Sequence, residues 1–247
     1  MADLSGTGPR LCGLLITLGL IGSGPSATAD DPAPRAARVV ALGDSITRGV
    51  RPGVRPEDTF AALAERALEA DGIAAEVVNL GIGGERTDQA LERLDAVVEL
   101  RPRVVTVMYG TNDSYVDPGS NSSRISREDY AANLRAIVAA LRRRGITPIL
   151  MTEPRWADNA PVNGLGESPN ARLTPFMDAC REVAAECGVP LVDHFSRWTA
   201  ARADGQDLAE WTTDGCHPNP LGHRELAETL HPAIRNALVG RQSSFDR

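Results

Sequence analysis

The chain has 247 residues, 42% hydrophobic and 24% charged, the length of one large α/β domain and the composition of a soluble globular protein, which excludes a disordered chain and a multi-span membrane protein. All 26 basic residues are arginine, so a Schiff-base lysine, a Ser-Lys dyad and a G-x-x-x-x-G-K-[ST] phosphate loop are ruled out. The formal net charge of -7 disfavours nucleic acid as a partner, because duplex binding needs a basic face to displace counterions.

Residues 11–21 (LCGLLITLGLI) form an apolar run too short to span a bilayer, preceded by Arg10 and followed by Ser26-Ala27-Thr28-Ala29. This pattern predicts a cleavable signal peptide over 1–29 and a secreted or periplasmic protein with no membrane span. A Pro/Ala linker is expected over 30–37, the folded domain over 38–240 and a tail over 241–247. Cleavage leaves Cys180, Cys187 and Cys216, an odd number that cannot all pair. Cys180 and Cys187 fall on one predicted helix about 10 Å apart by helical rise, beyond disulfide reach. They are expected as buried small apolar groups, with a bridge to Cys216 as the alternative.

Five β-branched runs follow in chain order: 38–42 (RVVAL), 75–80 (AEVVNL), 103–109 (RVVTVMY), 147–151 (TPILM) and 189–193 (VPLVD). Continuous rather than alternating apolar runs predict strands covered on both faces, as in a parallel sheet. Helices are predicted between them, near 57–70 and 87–100. A third starts at the Ser126 capping pattern and runs through Tyr130, Leu134, Ile137 and Leu141 to Gly145. A fourth opens at Thr174-Pro175 with Asp178 and closes at Gly188, and a last one starts at Asn219-Pro220, with Pro232 expected to kink or divide it. Strands alternating with helices predict an α/β fold, a three-layer α/β/α sandwich. The long loops 110–125 and 152–169 both follow strand carboxyl ends, where loops of this length usually bear function.

Ligands of open parallel sheets bind at those carboxyl ends. After the first strand comes Gly43-Asp44-Ser45, after the second Asn79-Leu80-Gly81-Ile82-Gly83-Gly84, after the third Gly110-Thr111-Asn112-Asp113, and before the last helix Asp214-Gly215-Cys216-His217. These are parts that acyl transfer requires. A serine hydroxyl needs a base to take its proton, and imidazole has the pKa for that near neutrality. The expected roles are Ser45 as nucleophile, His217 as base and Asp214 as the carboxylate that fixes the imidazole tautomer. The Ser45 amide, the Gly84 amide and the Asn112 carboxamide are the candidate oxyanion donors.

Each residue has a plainer reading. Gly43 and Gly84 also suit turns, Asn112 and Asp113 also cap loops, and His217 also fits the lead into a helix at Pro218-Asn219-Pro220. His194, His223 and His231 lack metal-ligand spacing, so structural or surface roles are expected, with no metal site. Arg86 stands where a dinucleotide fingerprint G-x-G-x-x-G needs glycine, and Ser45 lies outside a G-x-S-x-G elbow. No cofactor is expected. Tyr115, Arg155 and Trp156, in the long loops, are candidate substrate-binding residues, as is Asp44, although a structural role shaping the turn at Ser45 fits Asp44 better.

The four blocks, with Ser45 in GDS, Gly84 in N-x-G-x-x-G, Asn112 in GTND and Asp214 with His217 in D-x-x-H, together resemble the SGNH or GDSL-type hydrolases. The resemblance spans nearly the whole chain after the leader. It implies a flavodoxin-like five-stranded sheet of order 2-1-3-4-5 and metal-free ester hydrolysis through an acyl-enzyme. Exported members often remove acetyl groups from carbohydrates, so the expected partner is a small-molecule or carbohydrate ester. The alternatives are a lysophospholipase, thioesterase or arylesterase, or an O-acyltransferase, on the same triad. From another class, a non-catalytic carbohydrate-binding module is the rival.

Overall fold

A computed structural model of the chain describes residues 36–240. The expected signal peptide, nearly all of the expected linker and the expected tail lie outside the described residues.

The five strands are β1 (Ala37–Gly43), β2 (Ala75–Gly81), β3 (Val104–Met108), β4 (Thr147–Thr152) and β5 (Leu191–Asp193). All pair in parallel, in the order β2-β1-β3-β4-β5. Successive strand side chains point to opposite faces, and both faces are filled. Val40, Leu42, Val105, Val107 and Leu150 enter one core; Val39, Ala41, Val104, Met108, Ile149 and Met151 enter the other. The first core is closed by α3 (Thr87–Glu92), α4 (Leu94–Glu99), α6 (Arg127–Arg143) and α7 (Pro169–Cys187). The second is closed by α2 (Phe60–Ala70), α8 (His194–Ala203) and α9 (Pro220–Val239). The sandwich is therefore three layers deep. Single-turn helices α1 (Ser45–Arg48) and α5 (Thr111–Ser114) follow β1 and β3.

Helix α6 shows how sequence makes an element. Ser126 Oγ accepts from the Asp129 amide at 3.0 Å and donates to Asp129 Oδ2 at 2.7 Å, supplying one of the partners that a helix start lacks. Tyr130, Leu134, Ile137 and Leu141 then fall on one buried face, each apolar side chain contributing about 1.5–3 kcal/mol by leaving water.

Four boundaries differ from expectation. The helix expected over 87–100 is two, α3 and α4, parted at Arg93, whose guanidinium turns inward to Glu85 and the Leu80 carbonyl. Helix α7 begins at Pro169 rather than near Thr174, because Ser168-Pro169 supplies an earlier start with proline in the first turn, where no N–H is needed. Helix α9 runs undivided from Pro220 to Val239 through Pro232. Strand β5 begins at Leu191 rather than 189, since the Val189 amide turns back to the Ala184 carbonyl and Pro190 has no N–H to give a ladder.

The register sets the site. Gly43 at the end of β1 pairs with Gly81 of β2 and Met108 of β3, so the segments after these three strands leave one edge of the sheet together. Strand order reverses between β1 and β3, where the connections diverge and open a crevice.

Candidate active site

Ser45 begins where β1 ends. A Cβ on Gly43 would overlap Thr47 Oγ1 and the Met108 carbonyl, so glycine is what lets β1, β3 and α1 meet this closely. Asp44, fully buried, caps α1: its Oδ1 accepts from the Ile46 amide at 2.8 Å and fixes the turn that leaves Ser45 partly exposed.

His217 comes from a loop held at both ends. The Thr213 amide donates to the His217 carbonyl at 2.8 Å, and Thr212 bridges Pro218. Asp214 Oδ1 accepts from the Cys216 amide at 3.1 Å and the His217 amide at 2.8 Å. From the long loop after β4, the Ala157 amide donates to the Gly215 carbonyl at 2.8 Å, bracing the turn from outside. The imidazole is thereby presented edge-on to Ser45. Its Nδ1 lies 2.8 Å from Asp214 Oδ2, and its Nε2 lies 2.9 Å from Ser45 Oγ, across 172 positions of chain. With Nδ1–H donated to the carboxylate, Nε2 is the acceptor for the serine proton. Burial pushes the His217 pKa below the usual imidazole value, against the opposing pull of Asp214, and the charges of Arg51 and Arg48 push the same way as burial. For Asp214, partial burial opposes ionisation but is outweighed by the His217 and Cys216 amides and by the imidazole, which hold the carboxyl below its usual range.

The sequence reading missed Arg51. Its Nη2 donates at 2.8 Å to the same Asp214 Oδ2 that faces the imidazole. Nothing in local pattern marks it, since the contact spans 163 positions.

Asn112, on α5, has both ends of its carboxamide engaged. Nδ2 donates to Asp44 Oδ2 at 2.8 Å, and Oδ1 accepts from Arg124 Nη1 at 3.2 Å. Nδ2 keeps a second hydrogen for another acceptor. Arg124 is itself fixed by Asp117 at 2.7 and 2.9 Å and lies 5.0 Å over the Tyr115 ring. Beneath this group sits a second feature missed in the sequence, the fully buried Glu153 beside Asp44 and Asp113. Burial first, and then the charges of its two neighbours, push the Glu153 carboxyl far up, and burial likewise raises the Asp44 pKa to about 7.

Gly84 has φ +79°, a conformation that favours glycine, and the space where a Cβ would stand is open. The segment around it is tied down by Glu85, which accepts from Arg93 Nε at 2.6 Å and from the Tyr109 hydroxyl at 2.6 Å. Two residues after Glu85, the Thr87 amide and hydroxyl donate to Asp113 Oδ1 at 2.9 and 2.6 Å. Burial raises the Asp113 pKa to about 6 despite those two bonds.

Of the expected substrate-binding residues, Asp44 is corrected: its carboxylate is sealed inside and occupied by Ile46 and Asn112, so it shapes the site from beneath. Tyr115 and Trp156, from the two long loops, stack with centroids 6.3 Å apart and planes 17° apart. Arg155 pairs with Asp158 at 3.7 Å. His194 and His223 are buried and His231 pairs with Asp71 at 3.1 Å. Cys180, Cys187 and Cys216 are free thiols; Cys180 is buried as expected, Cys187 is only half-buried where burial was expected, and Cys216 is buried and unbridged. Among the described residues no helix is long and apolar enough to cross a membrane.

Residues 41–225 match the GDSL-like Lipase/Acylhydrolase family. The isoamyl acetate-hydrolyzing esterase 1 homolog of Homo sapiens is 29% identical over 211 residues, covering 80% of this chain and 81% of that protein. A GDSL lipase of Mycobacterium tuberculosis is 28% identical, covering 96% and 100%. Among solved structures, the lipase/acylhydrolase from Enterococcus faecalis superposes with a TM-score of 0.68 at 25% identity, over 81% of this chain and 96% of that one. A catalytic mutant of an acetylxylan esterase from Geobacillus stearothermophilus shares the fold, with a TM-score of 0.67 at 23% identity over 81% and 94%. The chain therefore belongs to the GDSL-like lipase/acylhydrolase family and is a serine carboxylic ester hydrolase.

Proposed function

We propose that this esterase works through Ser45, His217 and Asp214, with the Ser45 and Gly84 amides and Asn112 Nδ2 as the oxyanion hole, and that it removes acetyl groups from a carbohydrate outside the cytoplasm. The observation that carries the reading is the continuous relay from Ser45 Oγ to His217 Nε2 at 2.9 Å and from Nδ1 to Asp214 at 2.8 Å. As Oγ attacks the ester carbonyl, Nε2 takes its proton and Asp214 stabilises the imidazolium. The carbonyl oxygen becomes an oxyanion facing the three donors, each worth about 3 kcal/mol in the transition state. Collapse expels the alcohol, which receives the proton from His217, and water then releases the acid by the same steps in reverse.

The acetyl preference is supported by a relative named for an acetate ester and a structural neighbour named as an acetylxylan esterase. Export is supported by the leader pattern of residues 11–29 alone. A panel of 4-nitrophenyl esters from acetyl to long acyl, run beside acetylated xylan, tests the substrate. The expected result is fastest turnover of acetyl esters and release of acetate from the polymer, both lost in Ser45→Ala. Preference for long acyl chains would overturn the carbohydrate assignment.

A further inference from the structure

Three arginines surround the Ser45–His217 pair, and two are neutralised: Arg51 by Asp214 and Arg124 by Asp117. The third is Arg48, one helical turn beyond Ser45 and so on the same side of α1. Its exposed guanidinium pairs with no carboxylate and donates no hydrogen bond among the described residues. It lies across Gly83, next to the Gly84 amide, so that a Cβ on Gly83 would stand 3.0 Å from Nη1. It is also near enough to His217 for its charge to bear on the imidazole. Arg48 also borders a groove of about 360 Å³ lined further by Val50, Pro56, Glu65, Val77 and Asn79, in which Glu65 Oε2 accepts from the Val77 amide at 2.6 Å rather than pairing with the cation. A cation left without a carboxylate partner in a protein of net charge -7 is a local attractor for an anion, and its planar fork matches a carboxylate.

We propose that Arg48 is a specificity-determining residue that selects esters carrying a carboxylate, pairing with that anion while the ester carbonyl lies at Ser45. The inference rests on the reading of Ser45 as nucleophile. A uronic acid residue or an acidic aglycone would carry the charge in the alcohol half, a dicarboxylic monoester in the acyl half.

The test compares matched pairs on the full chain: 4-acetoxybenzoate against 4-acetoxybenzamide for the alcohol half, and the 4-nitrophenyl monoester of adipic acid against that of adipamic acid for the acyl half. The readout is the charged-to-neutral ratio of kcat/KM. The wild type is expected to show a ratio above about 10 in one pair, mostly through KM, which also identifies the half that bears the charge. Arg48→Gln should bring that ratio close to 1 and Arg48→Glu should invert it. Calorimetric binding of the same pairs to Ser45→Ala should repeat the preference without turnover. A wild-type ratio near 1 in both pairs, or a ratio unchanged in both Arg48 variants, overturns the proposal. Persistent hydrolysis by Ser45→Ala would instead defeat the nucleophile assignment and with it the placement of the carbonyl at Ser45, a failure told apart from the first because the Arg48-dependent ratio would survive.

Discussion

Asn112 and Asp44, 68 positions apart, are joined by a 2.8 Å hydrogen bond from Nδ2 to Oδ2 in the floor of the site. With Oδ1 turned to Arg124, the carboxamide has one orientation, and its free Nδ2 hydrogen is preset rather than sought during the reaction. Asn112→Ala is expected to lower kcat about 100-fold with little change in KM. Asp44→Ala should act through the same atom, so the double variant should lose far less than the product of the two single losses. Steady-state kinetics of the four proteins measures this, and independent, multiplicative losses would show that Asp44 does not act through Asn112.

Arg51 competes with the imidazole for Asp214 Oδ2 and adds a positive charge beside it. A base must be unprotonated, so kcat/KM rises with pH through the free-enzyme pKa of His217. Burial, with Arg51 and Arg48 acting in the same sense, places that pKa below the ordinary imidazole value of about 6.5. The acidic limb is therefore expected below that pH, and Arg51→Gln should move it upward. A limb that stays put in Arg51→Gln would remove the electrostatic role given to this arginine.

Much of this site was legible in the sequence because its parts sit at strand ends and in the loop before α9, as short blocks that are read directly. Ser45, Gly84, Asn112, Asp214 and His217 fall in such blocks. All five strands lie within two residues of expectation; β1, β3 and β4 are the buried apolar runs of a parallel sheet, whereas the edge strands β2 and β5 are only partly covered. What escaped were relationships that exist only after folding. Arg51 and Arg124 look like ordinary surface charges until α1, α5 and the loop before α9 converge. Glu153, in Thr152-Glu153-Pro154, carries no pattern to say that it is sealed under Asp44. The start of α7 was misplaced because two Ser/Thr-Pro steps compete, and only packing selects Ser168-Pro169.

Folding should depend on acid through His223. The ring is buried, and its Nδ1 accepts from the Phe60 amide at 3.2 Å at the start of α2, which requires that nitrogen to be unprotonated. Burial lowers its pKa to about 4, with Asp58 opposing and Arg51 assisting. In the unfolded chain the value is about 6.5, so between these pH values the unfolded state binds more protons. The stability from His223 is thus complete above about pH 6.5 and is lost as pH falls towards 4, an effect of about 3 kcal/mol. Urea unfolding across this range should show a flatter pH dependence in His223→Asn than in the wild type. An identical slope in the two proteins would mean that His223 is not the group that titrates.

The most direct test of the account is covalent trapping of the nucleophile. The intact protein is treated with a fluorophosphonate at neutral pH, and the adduct is located by peptide mass spectrometry. A single adduct on Ser45, abolished in Ser45→Ala and strongly slowed in His217→Ala, is the predicted result. An adduct on another residue, or none in a preparation that still hydrolyses esters, would contradict it.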